Sequence, residues 1–368
     1  MTKANNSFLM KEQNSSHVLR LIRKEPISRA EIARQTGLTR SAVSVIVDRL
    51  LEENLIFEGT AVKSSNGRRP TLLHLNVESF FAYGIDITRD GCTLCVCDFS
   101  GKLIEKEFIN FLSTEEETLD LIENSFQKIK KENVLGVGIS APGPIDKEKG
   151  LILDPPNLKL FKNFNIKEKI EKRLGLPVFF EKDTNALALL EKNKSEHDNF
   201  LYLLADHGLG GALIKNGALF KGHNGAGCEI GHVSLSFQGE KCSCGNVGCA
   251  SLYTSIGRTL KSAGKSDYKD LCFWASQGET ASLNAIKYQG EMLSHALITF
   301  VNLMEPEKII LGGQLKEGIA FLKPIIEENL KKHAFTRSTH SISVEESFID
   351  DRACAPANMV LEDYFMKG

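Results

Sequence analysis

The sequence predicts an α/β protein with an N-terminal winged helix-turn-helix and, behind it, a two-lobed body that carries a structural zinc site. Three observations predict it. Two short helical patterns meet at a glycine turn near Gly37, strand and helix patterns alternate from Phe81 onward, and one histidine and three cysteines stand at metal-ligand spacing between His232 and Cys249. With 368 residues the chain exceeds one ordinary core, so two or three domains are expected. The divisions fall at 1–76 for the winged head, 77–190 for a first lobe completed by a C-terminal helix over 351–368, and 191–350 for a second lobe.

Composition excludes several classes. Hydrophobic residues make up 42% and charged residues 25%, the balance of a folded soluble chain rather than a disordered one. Met1 to Ser16 has no continuous apolar run of the kind a secretory signal needs, and the apolar runs Phe200–Ala205 and Ala296–Met304 are too short to span a bilayer. A cytoplasmic protein with no membrane partner is expected. Nine cysteines, an odd number over a long chain, argue against a disulfide framework. The net charge of −2 is unevenly spread: residues 1–75 hold 12 Lys and Arg against 7 Asp and Glu, leaving 33 against 40 for the rest. That split suits a polyanion-binding head on an acidic body.

In the head, Val18, Leu21 and Ile22 recur at helical spacing from Ser15 to Lys24, and Pro26 closes the segment. Ser28 and Glu31 form a capping-box pattern that opens a short helix stopping near Gly37. Thr39 then caps a third helix, with Val43, Ile46, Val47, Leu50 and Leu51 on one face. Two helices joined through Thr36, Gly37 and Leu38 match a helix-turn-helix, whose second helix enters the major groove of double-stranded DNA. Its exposed end carries Thr39, Arg40, Ser41 and Ser44, which can donate to phosphates or base edges. Strand patterns at Leu55–Glu58 and Thr71–Leu75 flank a loop ending Gly67-Arg68-Arg69-Pro70, so Arg68 and Arg69 are expected on a wing in the minor groove. The alternatives are a helical protein-interaction module and a basic linker.

The body follows with strand patterns at Phe81–Ile87, Cys92–Asp98 and Leu103–Phe108, a helix from about Glu115 to Lys131, and a strand at Leu135–Ile139. A strand at Val178–Glu181 leads into a helix beginning near Asp183. A second round starts at Phe200 and includes a helix from about Glu279 to Met304 and a strand at Lys308–Leu311. Three strands in meander order before the first helix fit an actin-like, ribonuclease-H-like lobe better than a dinucleotide-binding fold. His232, Cys242, Cys244 and Cys249 supply three thiolates and an imidazole, a donor set that selects zinc in a closed structural site.

With Asn224-Gly225, Glu229-Ile230-Gly231-His232 and the Cys242-x-Cys244-Gly-x-x-Gly-Cys249 run, the body resembles the ROK family of repressors and sugar kinases, and the resemblance covers nearly the whole chain. It implies an actin-like fold, a sugar in the cleft between lobes, and a homodimer or homotetramer. The family's kinases carry an Asp-x-Gly-Gly-Thr phosphate loop where this chain reads Asp86-Ile87-Thr88-Arg89-Asp90-Gly91, and a Gly-Thr where it has Asp206-His207. The resemblance therefore implies a sensor rather than an enzyme.

It also implies ligand contacts at Gly143, Lys182, Asp183, Glu229, His232 and Ser251. Asp183 occupies the position that takes a sugar proton in the kinases. Glu229 resembles a sugar contact, although it could simply cap a turn. Lys182 and Ser251 replace the usual Asn and Glu, and a lysine there would meet the phosphate or carboxylate of a sugar phosphate or sugar acid, or else lie solvated on the surface. The expected function is a DNA-binding transcriptional regulator controlled by a sugar or sugar phosphate, with operator DNA as partner. The rivals are a sugar kinase with an appended DNA-binding head, supported by the retained Asp183, and a regulator whose partner is a protein.

Overall fold

The computed structural model describes residues 3–59, 71–155, 158–223, 225–335 and 341–367, with side chains from residue 12 onward. The first helix, α1 (Lys3–Lys24), begins well before the expected Ser15. Ser15 and Ser16 are buried inside it, and the Ser16 hydroxyl donates to the Glu12 carbonyl at 3.0 Å. A serine bonded back to the preceding turn has no need to cap. After β1 (Ile27–Ser28), α2 (Arg29–Thr36) opens on Ser28, whose hydroxyl accepts from the Glu31 N–H. The Glu31 carboxylate turns to Arg34 and Gln35. Gly37 ends the helix at φ 70°, a left-handed position where a Cβ would be strained.

Thr39 caps α3 (Arg40–Glu52) by accepting from Ala42 N, and Val43, Val47 and Leu50 are buried beneath it. β2 (Ile56–Glu58) and β3 (Leu72–Leu75) pair antiparallel with Ile56 opposite Leu75, as a wing requires. β1 pairs with the other side of β3, Ile27 opposite Leu73, a strand too short to leave a periodic trace in sequence. The expected wing residues Gly67, Arg68, Arg69 and Pro70 lie outside the described residues. Val18, Leu19, Ile22, Ile32, Val47 and Leu73 form the head's core, each at most 2% exposed. Burial at that depth contributes about 1.5–3 kcal/mol per large aliphatic side chain.

Contacts divide the chain into two compact units, residues 1–139 with 167–180 and 356–368, and residues 140–166 with 181–355. In the first, β4 (Phe81–Ile87), β5 (Gly91–Asp98) and β6 (Leu103–Asn110) form the expected antiparallel meander. α4 (Glu115–Lys128) opens on a complete Thr114–Glu117 capping box, and β7 (Val134–Ala141) follows. Short strands β8 (Ile145–Asp146), β9 (Leu151–Ile152) and β10 (Phe164–Asn165) make a small sheet that belongs to the second unit, and the chain then returns to the first through α5 (Ile166–Leu174) and β11 (Val178–Lys182). The main sheet runs β11-β7-β4-β5-β6.

The second unit contains α6 (Asp183–Lys194), β12 (Phe200–Ala205), β13 (Leu209–Lys215) and β14 (Ala218–Leu219), then α7 (Ser251–Thr254), α8 (Ile256–Ala263), α9 (Tyr268–Ser276) and α10 (Thr280–Met304). β15 (Lys308–Gly313), α11 (Ile319–His333) and β16 (Ser343–Glu346) complete it, and α12 (Cys354–Lys367) ends the chain. Its sheet runs β14-β13-β12-β15-β16, with the first three strands antiparallel and β12, β15 and β16 parallel. Both sheets place a meander first and two later strands on its first edge, so one lobe design occurs twice.

Within the first unit the head is fastened by Arg23 at the end of α1. Its guanidinium donates to the Ser100 carbonyl at 3.2 Å and to Asn358 Oδ1 at 3.3 Å, pairs with Glu362, and lies 4.3 Å over the Phe365 ring. Three of those partners belong to α12. A planar guanidinium that stacks and forks in this way holds geometry better than a lysine would.

Candidate functional site

The N-terminal end of α3 presents Thr39, Arg40 and Ser41 to solvent, with Thr39 Oγ1 and Ser41 Oγ 3.0 Å apart, while Ser44 is half-buried. Arg29 sets this end against α2 and the wing, bonding Asp48 at 2.7 Å and Glu58 at 3.1 Å. One turn beyond Ser41, Val45 is 71% exposed on the same side of the helix. An exposed valine among hydroxyls has the chemistry to meet a thymine methyl group.

The four candidate metal ligands come together. Their donor atoms all lie within 4.8 Å of one another, with Cys242 Sγ 3.7 Å from His232 Nδ1 and Cys244 Sγ 3.7 Å from Cys249 Sγ. A tetrahedron with metal–sulfur bonds of about 2.3 Å has edges of roughly 3.8 Å, so the donors stand at ligating distance. The chain builds this by folding the loop on itself: Lys241 bridges Val247, Ser234 bridges Cys249, and Cys242 N donates to Asn246 O at 2.8 Å. At Gly248, φ is 68° and a Cβ would stand 1.9 Å from the Ser236 carbonyl oxygen, so only glycine fits. Burial pushes the Cys249 thiol up to about 12. Burial opposes ionisation of Cys242 as well, yet the Cys244 N–H and the neighbouring thiols hold it below its ordinary value. The cluster can hold a metal ion.

The second unit also brings together most of the expected ligand residues. Gly143 lies over the Lys182 side chain, where a Cβ would meet Lys182 Cδ at 3.2 Å and Glu229 Oε1 at 4.0 Å. Lys182 is only 5% exposed, so it is not solvated on the surface. Its ammonium donates to Glu229 Oε1 at 2.9 Å and to the Gly211 and Gly227 carbonyls, each at 3.4 Å. Glu229 stands just before the 3₁₀ turn Ile230–His232, makes no side-chain cap there, and keeps 44% of its side chain exposed.

Asp183 opens α6, with Oδ1 accepting from Thr184 N at 2.7 Å and Oδ2 lying 3.6 Å from Arg352. Arg352 reaches Asp206 as well, at 3.7 Å. No motif singles out Arg352, which lies 169 positions from Asp183. Ser251 Oγ accepts from Leu209 N at 3.1 Å, closing the start of β13. Glu181, buried behind the site, takes bonds from Lys147 at 2.5 Å and Asn185 at 3.0 Å.

Residues 82–362 match the ROK family, and residues 13–69 match the MarR family. The chain belongs to the ROK family. Among curated ROK relatives, the xylose repressor of Bacillus subtilis is 29% identical over 100% of this chain and 99% of its own length. The DNA-binding transcriptional dual regulator NagC of Escherichia coli is 28% identical over 99% and 95%. Among solved structures, a ROK family transcriptional regulator described as a homologue of the E. coli MLC protein superposes with a TM-score of 0.81 at 25% identity, covering 97% of both chains. A ROK glucokinase from Streptomyces griseus shares the fold of the body, with a TM-score of 0.68 at 23% identity over 76% of this chain and 98% of its own. The winged head and ROK body expected from sequence are both present. Among the described residues no helix is long and apolar enough to cross a membrane.

Proposed function

We propose that this ROK protein is a transcriptional repressor that binds operator DNA through α3 and its wing, and releases it when a sugar enters the second unit. The observation that carries the reading is the union in one chain of an exposed helix end bearing Thr39, Arg40 and Ser41 with a ROK body, beside likeness along nearly the whole chain to relatives named xylose repressor and N-acetylglucosamine repressor. Gly143, Asp183, Glu229, His232 and Ser251 are assigned to the sugar, and Thr39, Arg40, Ser41, Ser44, Arg68 and Arg69 to DNA. Two copies of the chain would place two heads in successive major grooves, about 34–36 Å apart. Such a protein works in the cytoplasm, where operators are.

The metal is assigned as zinc, because three thiolates and an imidazole suit a soft, four-coordinate ion with no open position. His232, Cys242, Cys244 and Cys249 would hold it, and it would brace the loop that follows Glu229. With Nδ1 facing the thiols, the His232 ring has Nε2 left for a ligand.

The second reading is a sugar kinase with a DNA-binding head, favoured by Asp183 at the start of α6. Two features weigh against it. Asp183 has a guanidinium near its outer oxygen, and the turn after β12 carries Asp206, a carboxylate that would repel nucleotide phosphates. Footprinting of the purified protein on genomic DNA, with ATP turnover measured across a sugar panel, tests both. Protected sites released by a sugar are expected. Turnover that disappears in Asp183→Ala, with no footprint, would replace this reading by the kinase.

A further inference from the structure

Valine is an unusual residue for the outward face of α3. Val43 and Val47 are fully buried beneath the helix, whereas Val45, two residues from each and so on the opposite side, is 71% exposed. It adds little to the core, and a β-branched side chain favours a helix less than alanine or lysine would. Among the head's described residues the exposed large hydrophobics are Val45 and Phe57, and Phe57 stacks on the His74 ring at 5.2 Å.

The surroundings of Val45 are polar. Ser41 lies one turn before it and Asp48 one turn after it on the same side, both exposed, and Thr39 and Arg40 stand exposed at the helix start. Arg29 donates to Asp48 Oδ1 at 2.7 Å and to Glu58 of β2 at 3.1 Å, which fixes this face of α3 against the wing strand. A lone valine rimmed by such groups offers far less apolar surface than the ~1,000 Å² that a protein interface buries. It matches one methyl group. Among the donors and acceptors that base edges present in the major groove, the thymine 5-methyl is the apolar feature. A valine can neither donate nor accept a hydrogen bond, so that methyl is what it can distinguish. Its side chain has one strongly preferred rotamer in a helix, so contact costs little ordering.

We infer that Val45 is a specificity-determining residue that reads the 5-methyl group of one thymine in each operator half-site. The inference rests on the repressor reading above, and adds to the DNA contacts proposed there a residue that forms no hydrogen bond.

The test uses the full-length protein and duplexes that it selects from a random-sequence library, with each thymine replaced in turn by deoxyuridine, which lacks only the methyl group. Fluorescence anisotropy at fixed salt should show one thymine per half-site at which the replacement, with Val45 in place, weakens binding by about fourfold, the share of one buried methyl. Val45→Ala should bind the thymine and deoxyuridine duplexes nearly equally at that position and keep the original sensitivity at every other. Val45→Ser, in a fresh selection, should lose the thymine there while retaining the rest of the sequence, a change that general loosening of α3 would not produce. Both variants should unfold at the unsubstituted protein's temperature, because the side chain is exposed. A deoxyuridine scan that Val45→Ala leaves unaltered at every thymine overturns the inference and leaves the repressor reading standing. Failure of the unsubstituted protein to select any sequence overturns both.

Discussion

At the scale of single residues, the head and the body use polar groups in opposite ways. Arg40 stands exposed at the end of α3, and on the proposed reading it acts only on DNA, so Arg40→Ala should leave folding unchanged. It should weaken binding to the preferred operator by about 1–3 kcal/mol, and binding to random duplex by much less, measured by fluorescence anisotropy at fixed salt. Equal losses on both DNAs would make it a phosphate contact.

Glu191 on α6 is the buried counterpart. The Ser347 hydroxyl donates to it at 2.6 Å, and burial raises its carboxyl above the ordinary glutamate value. A raised acid contributes stability that is fully present below its unfolded value, near ~4.3, and is lost as pH rises through the higher folded value. Thermal unfolding from pH 4.5 to 8 should therefore show Glu191→Gln gaining on wild type as pH increases, since glutamine keeps an acceptor for Ser347. A difference independent of pH would contradict this. Neither the burial of Glu191 nor the Arg352 bridge was legible in sequence, because both come from partners more than 140 positions away.

At the scale of elements, local signals predicted well where the chain closes its own geometry. Ser28 and Thr39 cap the helices that follow them, and Gly37 ends α2, because each of these acts within four residues. The metal loop was legible for the same reason, its three cysteines lying within eight consecutive residues and its histidine ten residues upstream of the first. The two-residue strands β1, β8, β9, β10 and β14 were not, since pairing without periodicity depends on a distant partner.

The proposed metal can be tested through the loop it would brace. Chelation, or Cys244→Ser, should release one ion per chain and raise hydrogen exchange over residues 232–254 by about tenfold or more, with the head's exchange unchanged. Loss of protection in α2 and α3 as well would show that the loop supports more than its own unit.

At the scale of the whole molecule, the decisive feature of the first unit is that the head does not hang on a linker. Arg23 binds α1 to α12, the last helix of the chain, through a carboxylate, an amide and an aromatic face. The proposed repressor, setting two heads at one spacing, would need such a joint, since freely swinging heads would meet many operators equally poorly. Arg23→Ala should cost about 1–3 kcal/mol of stability, leave binding to a single half-site nearly unchanged, and flatten the dependence of affinity on half-site spacing. An operator series with inserted base pairs measures this directly. Unchanged spacing preference would place the joint elsewhere.

What the sequence determined by itself was everything encoded at short range: the helix-turn-helix, the order of strands and helices that makes two similar lobes, and the four metal donors. The tertiary structure alone decided which charges neutralise one another. Lys182 is turned onto Glu229 rather than into solvent, Arg352 lies near two aspartates, and Arg23 grips a helix more than 330 residues away. The reason is physical. Helical and strand periods, caps and ligand spacings depend on neighbours a few residues apart, whereas the partner of a buried charge is whichever group the folded chain brings within about 4 Å, and no local pattern records that distance.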